Sequence, residues 1–143
     1  MTGVQTCALP ICENSDFTVW NDPEHAWLWP YINASVYDFE RILTQIEASG
    51  RQLTERDIRI LKQIARELLL MEGSDWPFLL YTQQAKEYAN QRFHHHHQRF
   101  NKLIWAAKNL DDHQRLGDRA LQIIEEIDNP FPEVKIDWFR HID

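Results

Sequence analysis

Four consecutive histidines, His94 to His97, are the most conspicuous chemistry-bearing residues in this sequence, and helical geometry limits what they can do. Successive residues on a helix point about 100° apart, so only His94 and His97 could share a metal ion. Two ligands are too few, and no cysteine or obvious third ligand accompanies them. A solvated helix face with one inward histidine is therefore expected, with no metal and no cofactor. Carboxylates are plentiful: Glu67, Glu72, Asp75, Glu87 and the pair Glu125-Glu126. Glu72 and Asp75 lie three apart beside a helix break and could share a cleft, but nothing fixes the distance between them. Most of these acids read as solvated surface. The chain has no nucleophile elbow, no glycine-rich phosphate loop and no Ser/His/Asp pattern, and its four glycines leave little material for such loops. Six tryptophans are the compositional oddity. An indole can fill core, stack on a sugar ring or anchor an interface.

The elements that must position these groups are helical. From Leu61 to Met71, Leu61, Ile64, Ala65, Leu68 and Leu69 recur with helical spacing and form one buried stripe. Gly73 is expected to stop this helix by tolerating positive φ. Ser74 and Asp75 are candidate N-caps, and Pro77 falls where a first turn tolerates a missing N–H. The break thus presents Asp75 beside Trp76; the plainer alternative is that Asp75 only caps and Trp76 only fills core. Upstream, residues 21–24 signal a helix start, Pro30 should kink or restart it, and the stripe Ile32, Val36, Phe39, Ile46 runs to Gly50. Thr54 to Asp57 resembles a capping box. Thr82 is expected to cap the longest helix, running to about Asn109 on Ala89, Phe93, Phe100, Leu103 and Ile104. A further helix spans Asp112 to Ile127, and residues 128–132 form a loop. Residues 13–19 and 134–139 read as extended arms. The expected fold class is all-α, a bundle of about five helices with non-helical ends.

Residues 1–11 read as a translated sequencing adapter joined to an open reading frame, so residues 1–12 are set aside as artefactual and the domain as residues 13–143. Such a chain would continue upstream in its natural form. No basic region or sustained apolar core supports a secretory signal. Both cysteines, Cys7 and Cys12, fall in the excluded piece, so no disulfide framework is available, which suits a reducing, cytoplasmic setting. Roughly 130 residues suffice for one domain with a core. The net charge of −7 argues against a nucleic-acid partner, and no run reaches the ~18 apolar residues of a membrane span.

Several blocks together resemble the glycoside hydrolase family 57 branching enzymes. They are V-W-N-D-P-E-H-A-W-L-W-P (19–30), A-R-E-L-L-L-M-E-G-S-D-W-P-F-L-L (65–80), T-Q-Q-A-K-E-Y-A (82–89), R-F-H-H-H-H-Q-R-F-N-K-L (92–103) and D-N-P-F-P (128–132). Their order and spacing match across nearly all of residues 13–143. The resemblance implies the C-terminal helical domain of a 1,4-α-glucan branching enzyme, serving glycogen biosynthesis by retaining glycosyl transfer. In that mechanism a glutamate nucleophile and an aspartate acid/base stand about 5–5.5 Å apart. The resemblance places both on an upstream (β/α) barrel, so no acid of this chain is expected to be catalytic. The domain would pack on that barrel and wall the groove for an α-glucan substrate.

By the same resemblance Trp20 and Trp29 match aromatics near the cleft, with Trp27 between them, and Asp75 and Trp76 match an S-D-W element. His96 aligns with a histidine of the family pattern, and its neighbours depart from it. Sugar rings offer apolar faces to an indole, and a carboxylate accepts hydroxyl hydrogen bonds. Trp27 also begins a helix whose other face must be buried, so a core role stays open for it. A family 57 α-amylase or 4-α-glucanotransferase would fit the same blocks. From another class, so would a free-standing helical module docking a protein through its tryptophans.

Overall fold

The computed structural model describes residues 18–20 and 22–140. Within them run five α-helices: α1 Leu28–Ala48, α2 Glu55–Met71, α3 Asp75–Thr82, α4 Lys86–Ala107 and α5 Asp118–Ile127, followed by a 3₁₀ turn, Ile136–Phe139. Among the described residues there is no strand, and the all-helical expectation holds. No helix among them is long and apolar enough to cross a membrane.

The core lies between α2 and α4, the pair that packs most extensively, with α1 and α3 laid against α4. The stripes read from the sequence are the buried faces. Ile60, Ile64 and Leu68 of α2 meet Phe93, Phe100 and Leu103 of α4, and α1 adds Leu28, Ile32, Phe39 and Ile42. Burying side chains of this size stabilises by about 1.5–3 kcal/mol each, so this seam dominates the folding energetics.

Helix α2 starts as its capping box requires. Thr54 Oγ1 accepts from the Asp57 N–H at 3.1 Å, and Asp57 Oδ2 accepts from the Thr54 N–H at 3.0 Å. Burial would raise the Asp57 carboxyl, but the Thr54 N–H and the Arg51 guanidinium, 3.1 Å away, hold it below the ordinary carboxylate range. Thr54→Ala is expected to lower stability by about 1 kcal/mol, read as a shift in urea midpoint without a change in slope.

Other boundaries differ from the sequence reading. Pro30 neither kinks nor restarts α1, because the helix begins two residues before it and its first-turn N–H groups have no intrahelical acceptor anyway. Asp22 does cap, but only a single turn: its Oδ1 accepts from the Glu24 N–H at 2.8 Å and its carbonyl from His25 and Ala26. Thr82 closes α3 instead of capping α4; Gln83 turns the chain at φ 58°, and α4 starts at Lys86. Residues 111–117 form turns, so α5 starts at Asp118 with Gly117 as its N-cap, later than expected. The C-terminal arm carries a 3₁₀ turn where an extended arm was expected, fixed by buried Val134 and by Phe139 against Phe39, ring centroids 5.4 Å apart. Of the N-terminal arm, residues 13–17 lie outside the described residues, as does Asn21.

Candidate functional site

The turn before α1 and the first residues of that helix carry three of the singled-out tryptophans, and two of them, Trp20 and Trp29, are joined. The Trp29 indole donates its Nε1–H to the Trp20 carbonyl at 3.1 Å, which ties the incoming chain to the helix and sets these residues side by side. Both stay partly accessible. Trp27 packs on α4: His94 stacks on it at 5.2 Å with planes 13° apart, while Phe93 and Tyr31 meet it edge-on at 5.4 and 6.0 Å. Trp27 is therefore half core and half surface. Gln83 Nε2 reaches Glu24 Oε2 at 2.9 Å and joins the end of α3 to this corner.

Asp75 and Trp76 behave differently from each other. The Trp76 indole folds back on α2 and donates to the Leu70 carbonyl at 2.6 Å, satisfying one of the acceptors a helix end leaves open. Its ring lies 6.2 Å from that of His96. Among the described residues no ring contact joins Trp76 to Trp20 or Trp29. Ser74 holds the N-cap position without a side-chain cap bond, and Asp75 sits exposed in the first turn of α3. Asp75 therefore does not cap through its side chain, and its carboxylate faces solvent.

Gly73 ends α2 for a reason other than the one expected. Positive φ belongs to Gly50, at 63°, and not to Gly73. A Cβ on Gly73 would lie 3.3 Å from the Leu70 oxygen and 3.4 Å from Trp76 Nε1, the two atoms of that hydrogen bond. Gly73→Ala is accordingly expected to displace the indole and weaken the bond, at about 1 kcal/mol, with a red-shifted Trp76 emission. An unchanged spectrum would contradict this account.

Behind Trp76 lies a polar cluster that the sequence reading missed. His96 is the inward histidine of the four, as expected, and is fully buried. Its Nδ1 stands 2.9 Å from Glu67 Oε2 and 3.5 Å from Asp128 Oδ2. Glu67, expected on the solvated surface, is fully buried on α2, where Gln63 Nε2 donates to it at 3.1 Å. Gln63 also donates to the Asp128 carbonyl at 2.8 Å. Arg99 Nη1 meets Asp128 Oδ2 at 2.5 Å, and Arg92 Nη2 approaches His96 Nε2 at 3.3 Å. A helix-borne glutamate, a helix-borne histidine and a loop aspartate thus bolt α2, α4 and the segment after α5 to one another.

The charges follow from these contacts. Burial alone would depress His96, but its hydrogen bonds to Asp128 and Glu67 outweigh that and raise it. Burial would raise Asp128, yet the His96 and Glu67 hydrogen bonds and the Arg99 charge bring it down to about 2. Glu67 is raised, first by burial and further by the Asp128 charge. The three donor atoms lie within 4.8 Å of one another, a spacing a metal ion could use. Arginine already supplies the cation here, and glutamine the remaining donor, so the set works as a self-contained ion-pair network. Of the pair His94 and His97, the first stacks on Trp27 and the second packs edge-on against Tyr31 at 4.9 Å.

A signal for the cluster was present. His96 is three residues after Phe93 and four before Phe100, on the inward stripe, and Glu67 lies three residues after Ile64 and seven after Ile60, on the inward stripe of α2. A polar residue on each of two facing stripes implies a partner across the seam.

The described residues thus form a five-helix bundle with an aromatic corner and a buried ion-pair bolt between α2, α4 and the segment after α5. Residues 35–139 match the family described as 1,4-alpha-glucan branching enzyme, C-terminal, and the chain belongs to that family. It is 38% identical over 126 residues to a 1,4-alpha-glucan branching enzyme of Thermococcus kodakarensis, covering 86% of this chain and 18% of that protein. The fold is similar to the crystal structure of a GH57-type branching enzyme from Pyrococcus horikoshii, with TM-score 0.76 and 32% identity over 87% of this chain and 23% of that one. It is also similar to a Thermococcus kodakaraensis GH57 branching enzyme crystallised with glucose and additives, with TM-score 0.75 and 35% identity over 91% and 23% of the two chains. The chain thus spans about a fifth of the length of the curated relative.

Proposed function

We propose that this chain is the C-terminal helical portion of an α-glucan branching enzyme and walls the groove in which a glucan chain is held. The reacting glutamate and aspartate belong to a (β/α) barrel outside this sequence, and the domain packs against that barrel. Here the chemistry is binding and exclusion of water. Trp20 and Trp29 offer aromatic surface to pyranose rings, Trp27 backs them, and Asp75 accepts hydroxyl hydrogen bonds. Trp76 acts on Asp75 by fixing the start of α3. A closed aromatic wall favours transfer to a sugar hydroxyl over hydrolysis, because water competes for the same glycosyl intermediate.

The observation that carries this reading is the Trp29 indole held on the Trp20 carbonyl, with both residues still partly accessible. Titrating tryptophan emission with maltoheptaose is expected to give a saturable change that Trp20→Ala and Trp29→Ala each reduce. A change unaffected by either substitution, or no saturable change, would refute it.

A further inference from the structure

Two tryptophans stand well out of the core, and they differ in what covers them. Trp105 is 51% exposed, but the Arg115 guanidinium lies over its ring at 5.1 Å, so that face is taken. Trp138 is 63% exposed, and among the described residues no ring or cation covers it. Its backbone is nonetheless firmly held. The 3₁₀ turn that carries it is anchored by Phe139 on Phe39 and by buried Val134, and Arg140 ties its far end to Asp137 at 3.1 Å and to Glu47 at 3.5 Å. An exposed indole on a fixed turn is a placed platform: no backbone ordering is left to make when something stacks on it.

Beside that indole is a hollow of about 200 Å³ with Val36 and Leu68 on its apolar side and Glu40, Glu72 and Arg140 on its polar side. Among the described residues neither the Glu40 nor the Glu72 carboxylate has a hydrogen-bond or ion-pair partner, the Glu40 backbone carbonyl alone accepting from Thr44. Glu72 is accessible at the rim, yet the walls crowd out enough water to push its carboxyl above the ordinary range. An uncovered aromatic face, an apolar floor and two acceptor groups without partners suit a ring with C–H groups on one side and hydroxyls at its edge. The volume falls below the ~300 Å³ of drug-sized pockets, so it suits one pyranose unit.

We propose that Trp138, Glu40 and Glu72 form a second α-glucan contact, taking one pyranose ring of a glucan chain on its own. It lies about 15 Å farther along α1 than Trp29, counting the helical rise from Trp29 to Phe39. The proposal rests on the reading of this protein as a glucan-binding domain, but it concerns a different set of residues. One ligand contact at the aromatic corner and another here would let the domain grip a polymer at two points, which strengthens binding through effective concentration without new chemistry.

The test is a ¹H–¹⁵N spectrum of the indole N–H groups of the 143-residue chain, assigned by single Trp→Phe variants and titrated with maltoheptaose, with sorbitol as the acyclic control. The Trp138 resonance is expected to move saturably with maltoheptaose and not with sorbitol, and Glu72→Gln to weaken that response by about threefold or more while leaving the Trp20 and Trp29 responses unchanged. A static Trp138 resonance overturns the proposal, as does an equal response to sorbitol or a response to a lysine peptide but not to the sugar. Movement of Trp138 with Trp20 and Trp29 static supports this contact and sinks the groove reading; the converse does the reverse.

Discussion

Replacing Asp128 with asparagine is expected to lower the stability of this domain by about 3 kcal/mol, measured as a drop in the urea midpoint. The substitution keeps the shape and removes one charge. In the folded protein that charge faces three partners: Arg99 at 2.5 Å, Arg92 at 3.9 Å and His96 at 3.5 Å. Breaking a buried ion pair costs about 3–5 kcal/mol because the surviving charge is left in low dielectric. The lower end applies here, since Arg92 and Arg99 keep partial access to water. His96 has no such access and must give up its proton or lean wholly on Glu67. The damage should also be local, because Asp128 follows α5 and precedes the segment carrying Val134 and the 3₁₀ turn. Amide exchange in residues 129–139 should therefore speed up before that of α2 or α4.

The same network gives a pH dependence of definite sign. His96 is raised above its ordinary 6.5, so its contribution is complete below that pH and is lost as pH climbs through the folded value. Glu67 is raised above 4.5 and contributes in the same sense, complete below 4.5 and fading above it. Asp128 works oppositely: lowered from 3.8 to about 2, it stabilises above 3.8 and loses that contribution as pH falls toward 2. The network is thus strongest between 3.8 and 4.5 and weakens in stages toward alkaline pH. The stability difference between the wild type and His96→Gln should shrink as pH passes 6.5. A difference that grew with pH would show that His96 is neutral in the folded state.

Helix stripes were legible in the sequence because each apolar repeat is a local property, and every inward position named for α2 except half-buried Leu69 is buried. The Thr54–Asp57 box was legible for the same reason. What could not be read depends on contacts distant in sequence. Glu67 falls on the inward stripe of α2, but its partners could not be read: Asp128 stands sixty-one positions later and His96 on another helix. Gly73 looks like a left-handed stop, but its small size serves a tryptophan that returns from the next helix. Thr82 looks like a cap because threonine favours that position, yet the left-handed residue that ends α3 is Gln83, which no propensity favours. The aromatic corner lies between these cases. Its tryptophans stood out by type, while the bond from Trp29 to the Trp20 carbonyl needed the fold.

Phe93→Ala is expected to cost about 3–5 kcal/mol, and its consequence should reach the proposed glucan surface as well as the core. Phe93 is fully buried on α4 and forms the floor of a ring cluster: Trp27 meets it edge-on at 5.4 Å, Tyr31 at 6.3 Å, and His97 lies parallel to it at 6.5 Å. Truncation leaves a cavity and removes edge-to-face contacts worth about 0.5–1.5 kcal/mol each beyond their buried area. With that floor gone, the ring contacts left to Trp27 among the described residues are those with His94 and Tyr31. Its indole should become more accessible to acrylamide, and maltoheptaose should bind more weakly even under conditions where the variant is fully folded. Phe93→Leu fills more of the cavity but presents no ring face, so it should regain much of the stability and little of the Trp27 ordering. That split separates the two roles. If the leucine variant recovered stability and quenching protection together, volume alone would hold Trp27, and the ring cluster would be packing without a directional part in ordering that indole.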